Sequence, residues 1–182
     1  MTGRDSTAKR RKPRASKRLG EDSLRELALH YVGRYATTRA KLVRYLERKL
    51  RERGWDGEGR PDTDALAARF AELGYISDRI YGEMKARSLA ARGYGARRVE
   101  AQLRVDGLGE EDRGAARGEV DARGALLRFA ERKRLGPFAA EDPTPERERK
   151  QFAACLRAGH DVSLVKELFS AESAEAFEGV ED

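Results

Sequence analysis

Apolar residues recur three and four positions apart along this chain, with little strict alternation anywhere, which predicts helices and no sheet. Ser23, with Glu26 three residues later, forms a capping box that opens a first helix through Leu27 and Tyr31. Thr37 or Thr38 caps a second helix, with Leu42, Leu46 and Leu50 on one face. A loop around Gly57 and Gly59 leads to Pro61, Asp62 and Thr63, which start a third helix bearing Leu66, Phe70 and Leu73. The next series opens at Ser77 or Asp78 and runs through Ile80, Tyr81 and Met84 to Gly93. It continues into a helix holding Val99 and Leu103, then into a polar one from about Gly109 to Val120. A last series begins near Ala122 with Leu126 and Phe129. It restarts at Thr144-Pro145 with Phe152, Cys155 and Leu156, and closes with a helix capped by Asp161 and striped by Leu164, Val165, Leu168 and Phe169.

One motif recurs at a spacing of 53 residues: Leu46-Leu50-Gly54, Val99-Leu103-Gly107 and Phe152-Leu156-His160. Positions four apart share a helix face, and a turn residue four further on ends the helix. Repetition at this scale predicts an all-α array of small modules that complete their cores with their neighbours. The expected division is a basic tail over 1–21, three-helix repeats over 22–76, 77–121 and 122–172, and an acidic tail over 173–182.

Composition fits slender, solvated units, since 38% of the 182 residues are charged and only 39% hydrophobic. The net charge of +6 is unevenly spread: residues 1–20 hold eight Lys or Arg against Asp5 alone, while 161–182 hold seven acidic residues against Lys166. The basic segment has too little apolar surface to order itself and suits a polyanion. Cys155 has no cysteine to pair with, and no apolar run resembles a signal peptide or membrane span, so a cytoplasmic protein is expected.

Catalytic chemistry is absent from the pattern. His30 and His160 have no second ligand at a zinc spacing, Cys155 and His160 lack further cysteines, and Gly93-Tyr94-Gly95 lacks the rest of a phosphate-binding fingerprint. The expectation is no enzyme, no metal and no cofactor. What stands out is cationic charge on helices. Lys41, Arg44, Arg48 and Arg51 form a stripe opposite Leu42, Leu46 and Leu50, and Lys85, Arg87, Arg92, Arg97, Arg98 and Arg104 surround Tyr94 in the next module. Together they are the candidate surface for a protein partner or nucleic acid.

Gly74-Tyr75-Ile76-Ser77-Asp78, then Arg92-Gly93-Tyr94-Gly95, Arg98-Val99, Leu103 and Gly107-Leu108 make an ordered set that resembles the RecX family of RecA regulators. The Arg39-to-Gly54 segment, and Arg149 through Phe152 and Leu156 to Asp161, extend the likeness over residues 22–172. Departures are His160 for a usual Gly, Ser77 for a frequent acidic residue, and the polarity of the helix after Gly109.

The resemblance implies an elongated, curved, monomeric array of three three-helix repeats. Such a protein lies in the groove of the RecA filament and inhibits ATP hydrolysis and strand exchange in recombination, DNA repair and the SOS response. Some members also bind single- or double-stranded DNA. The alternative is a direct DNA-binding protein that uses helix-turn-helix-like units and the basic arm.

Overall fold

The computed structural model describes residues 18–140 and 143–178, so segment 1–17, on which the basic-arm reading rests, lies outside the described residues. The fold is all-α. In chain order the helices are α1 (Glu21–Arg34), α2 (Arg39–Arg53), α3 (Thr63–Glu72), α4 (Asp78–Ala91), α5 (Ala96–Asp106), α6 (Glu110–Arg117), α7 (Ala122–Lys133), α8 (Pro145–Arg157), α9 (Val162–Ser170) and α10 (Ala174–Glu178). A single 3-10 turn, Gly136–Phe138, lies between α7 and α8.

Six helix starts follow directly from local chemistry. The side chains of Thr38, Asp62, Ser77, Asp121, Thr144 and Asp161 each accept a hydrogen bond from a backbone N–H two or three residues on. Each satisfies one of the donors that a helix N-terminus leaves free. The first helix departs from expectation. It begins at Glu21, which puts Ser23 in its first turn, where Oγ accepts from the Gly20 N–H at 3.2 Å. The cause is Leu19, whose N–H donates to the Gly54 carbonyl and whose carbonyl accepts from the Asp56 N–H, both at 2.9 Å. This short parallel pairing with the Trp55 loop fixes the chain before the helix starts.

Three apolar clusters divide the molecule. The first joins Leu19, Leu24, Leu42, Leu46, Ala67, Phe70 and Ile76; the second joins Tyr81, Leu89, Val99, Leu103, Leu108 and Ala116. The third joins Leu126, Phe129, Leu135, Cys155, Val165, Leu168 and Phe177. Two of the expected tail boundaries need correction. Leu19, placed in a basic tail over 1–21, is fully buried in the first cluster. Phe177, placed in an acidic tail over 173–182, is 1% exposed, and Arg123 donates to its carbonyl at 2.6 Å. An isolated apolar residue in a polar segment gives no periodic signal, so both anchors escape a pattern-based boundary.

The middle unit packs through small residues. Ile80 and Met84 are exposed, at 58% and 46%, while the inner face of α4 is Tyr81, Gly82, Ala86, Leu89 and Ala90. Gly82 lets α6 come close, since a Cβ there would lie 2.7 Å from Leu108 Cδ2 and 3.4 Å from Ala116 Cβ. The polar helix α6 ends at Arg117, short of the expected Val120. It buries only Ala116 and is otherwise tied by ion pairs: Arg113 Nε donates to Glu100 at 2.7 Å, and Arg117 reaches Glu100 at 3.4 Å. Arg113 also pairs with Glu110 and donates to the Leu108 carbonyl at 2.5 Å. Burial works against the charge of Glu100, but these arginines outweigh it and hold its pKa below the usual carboxylate range.

Candidate partner-binding surface

The cationic stripe on α2 divides at its middle. Lys41 Nζ donates to the Tyr81 hydroxyl at 2.5 Å and pairs with Asp106 Oδ1 at 3.3 Å. Tyr81 in turn donates to Asp106 Oδ2 at 2.8 Å, and Gln102 donates to Asp106 Oδ1 at 3.2 Å. Burial opposes the Lys41 charge, yet the Tyr81 bond and the Asp106 charge prevail and raise its pKa above 10.5. Arg44 reaches the Val105 and Asp106 carbonyls at 3.2 and 3.4 Å. Arg48 and Arg51 stay exposed, and among the described residues their ion pairs are with Glu52 at 3.5 Å and Glu47 at 3.9 Å of their own helix. Half of the stripe is therefore a joint between the first two units, and half is surface.

The same joint shows how the second helices of the three units connect. At the N-terminus of α2, the Thr38 hydroxyl donates to the Asp106 carbonyl at the C-terminus of α5, at 2.7 Å. Asp78 accepts from the Arg39 N–H at 2.9 Å and from its Nε at 3.1 Å. At the other end of α5, the Gly95 N–H donates to the Ala158 carbonyl at 3.0 Å and the Arg97 N–H to the Gly159 carbonyl at 3.1 Å. The C-terminus of α8 thus caps the N-terminus of α5, which has no capping side chain of its own. Consequently α8, α5 and α2 meet end to end, with each positive N-terminus on a negative C-terminus, an arrangement that the helix dipoles favour.

Arginines reinforce the second joint. Arg97 pairs with Asp161 at 3.0 Å, Arg128 donates to the Ala90 carbonyl at 3.4 Å, and Arg132 donates to the Arg92 carbonyl at 2.7 Å. Bonds from Ser163 to Asp161, together with the nearby Arg97, keep that carboxyl ionised to lower pH than usual. Gly93 and Gly95, expected to form a linking turn, are also contact points. Gly93 lies on the Phe129 backbone, and a Cβ on Gly95 would collide with Gly159 and His160.

His160 closes this joint. The sequence pattern places it at the turn position occupied by Gly54 and Gly107. The left-handed residue here is instead Gly159, at φ 93°, one position earlier. His160 points inward, 2% exposed, with Nε2 donating to the Gly93 carbonyl at 3.2 Å and its ring 5.4 Å from that of Phe129. Burial outweighs this bond and lowers its pKa below 6.5. Above pH 6.5 the folded and unfolded chains both hold His160 neutral. Below it the unfolded chain takes the proton first, so stability falls until the folded pKa is reached. His160→Gln, which keeps an amide donor, should show a smaller loss of urea stability between pH 7.5 and 5.5 than the parent. Equal losses would contradict the burial argument. Cys155 is fully buried nearby, and burial pushes its thiol up to about 11, which leaves it unreactive. Among the described residues no group of His, Cys, Asp or Glu is arranged to hold a metal.

Most of the remaining candidates lie outward. Arg92 and Arg98 each sit 5.8 Å from the centre of the Tyr94 ring, a cation–aromatic cluster between α4 and α5. Arg104 is exposed and pairs with Glu100 of its own helix at 3.4 Å, while Arg87 reaches Glu119 at 2.6 Å and ties α4 to the turn after α6. Lys85 is half-buried on α4. The candidates therefore fall into Lys41 and Arg44 at the first joint, Arg97 at the second, Arg87 within the second unit, and an outward set of Arg48, Arg51, Arg92, Arg98 and Arg104, with Lys85 and Tyr94 half-buried beside it.

No family model matches the chain. It is 34% identical over 176 residues to the regulatory protein RecX of Myxococcus xanthus strain DK1622, covering 91% of the chain and 94% of that protein. The chain belongs to the RecX family. The regulatory protein RecX of Agrobacterium fabrum strain C58 is 26% identical over 156 residues, which is 84% of each. The RecX likeness spans all three units, so the joints and the outward set fall within the shared length. None of the described helices is long and apolar enough to cross a membrane.

Sequence reasoning missed Asp78 and Asp106 as the acceptors that organise the first joint. Asp78 looked like an ordinary residue of a helix start. Asp106 looked like one more solvated carboxylate, although its place just before Gly107 marks the helix end where it works.

Proposed function

We propose that this RecX-family chain is a non-catalytic regulator of RecA that binds the recombinase filament in its groove and restrains ATP hydrolysis and strand exchange. The observation that carries the reading is the near full-length likeness to a regulatory protein RecX. The outward cations supply the contact chemistry. Arg92 and Arg98 flank Tyr94, and the ion pairs of Arg48, Arg51 and Arg104 among the described residues are with carboxylates of their own helices, bonds that a partner can displace at little loss. An array of three linked units would engage successive filament subunits, each further contact being effectively intramolecular after the first.

The test is DNA-stimulated RecA ATPase with the joint residues left intact. Arg92→Glu with Arg98→Glu should raise the half-inhibitory concentration about tenfold or more, as expected when charges facing an acidic or phosphate surface are reversed. Arg48→Glu with Arg51→Glu tests the first unit in the same assay. Full inhibition by both double variants would remove the outward set from the interface. Electron microscopy of nucleotide-bound filaments without groove decoration would sink the partner assignment itself.

A further inference from the structure

A second aromatic and cationic cluster lies on the first unit, where α1 ends against the middle of α2. Tyr31 and Tyr45 stack with ring centres 4.2 Å apart and planes 15° from parallel, and Tyr35 lies 5.4 Å beyond Tyr31. Tyr31 and Tyr45 pack on the apolar core beneath, whereas Tyr35 is 51% exposed. Arg34 sits 5.7 Å from the Tyr35 ring centre, Arg48 5.5 Å and Lys49 5.9 Å from that of Tyr45. These rings and cations line a cleft of about 390 Å³.

We propose that this cleft is a binding site for single-stranded nucleic acid, with an unpaired base stacked on Tyr35 and the backbone phosphates met by Arg34, Arg48 and Lys49. Three features favour that occupant. The rings form a continuous run anchored from below, so a base meets a preset platform and little side-chain freedom is lost. The cations flank the run at both ends, as a phosphate chain passing over it requires. The carboxylate among them, Glu52, already accepts from Lys49 at 2.7 Å and Arg48 at 3.5 Å, and Arg34 has no ion pair among the described residues. A run of acidic side chains would use the charges but carries no ring to lay on an exposed phenol. The site goes beyond recombinase regulation, and its test contains no recombinase, so either reading can fail alone.

The experiment is fluorescence anisotropy of a short labelled oligodeoxythymidylate titrated with the full chain at about 0.15 M salt. Tyr35→Ala should weaken binding roughly tenfold, the loss of one base–aromatic stack, while Tyr35→Phe keeps the affinity. Arg34→Ala with Arg48→Ala should flatten the salt dependence by about 1.4 in log–log slope, the share of two phosphates on a single strand. A duplex of the same length should be indifferent to Tyr35→Ala. Circular dichroism melting, expected to be unchanged for Tyr35→Ala, shows that each variant is folded. Equal affinity of Tyr35→Ala and the parent overturns the proposal. So does an equal Tyr35-dependent loss on the duplex, or on polyglutamate.

Discussion

Gly159→Val should uncouple the third unit from the second and cost about 3–5 kcal/mol in urea unfolding, the sum of a left-handed backbone forced on a branched residue and an overpacked contact. Gly159 holds φ at 93°, and any Cβ there collides with the Arg98 backbone at the start of α5. The substitution would also push apart the carbonyls that accept from the Gly95 and Arg97 N–H groups, leaving the N-terminus of α5 without its cap. Trp55, the one tryptophan of the chain, lies in the first unit. Its fluorescence should therefore report a transition displaced less than that seen by circular dichroism, because the three cores are separate. A shift below about 1 kcal/mol would show that the joint yields without loss. Coincident transitions from the two probes would show that the units unfold as one.

Asp106→Ala should cost about 2–4 kcal/mol, since a buried acceptor for Tyr81, Lys41 and Gln102 disappears and leaves the ammonium group short of its counter-charge. The size of the loss measures desolvated partners left unpaired, and the pair itself contributes less. Lys41→Met with Asp106→Leu should therefore recover the share due to the stranded ammonium, because apolar groups can replace a buried ion pair at little net loss, while the Tyr81 hydroxyl still lacks its acceptor. A double variant no more stable than Asp106→Ala would contradict this account. With the Lys41 pKa raised, its contribution is complete below 10.5 and fades only as pH climbs through the higher folded value.

Much of the architecture was legible because it is local. Side-chain caps at Thr38, Asp62, Ser77, Thr144 and Asp161 sit within three residues of the bonds they make, and the stripes of α2, α5 and α9 bury the apolar faces their spacing predicts. What escaped notice was long-range. Lys41 and Arg48 look alike on a helical projection, yet Lys41 faces Asp106, 65 positions along the chain, and Arg48 faces its own Glu52. No periodicity separates a cation with a distant partner from one without. The same limit applies to Tyr31, Tyr35 and Tyr45. Two of them fit a core stripe or a helix end, and only their convergence across α1 and α2 makes a platform.

The end-to-end contact of α8, α5 and α2 has a bearing on how such a chain can vary in length. Helix α5 touches one neighbour at Gly95 and Arg97 and the other at Asp106, so its eleven residues, about three turns, set the angle between the two joints. One added or deleted residue would turn one end by about 100° relative to the other. The exposed stretch 57–60 of the loop between α2 and α3, beyond the Leu19 pairing, carries no such phase. Variation in size should accumulate there and in the outer helices, while α5 behaves as a gauge block whose length is held constant.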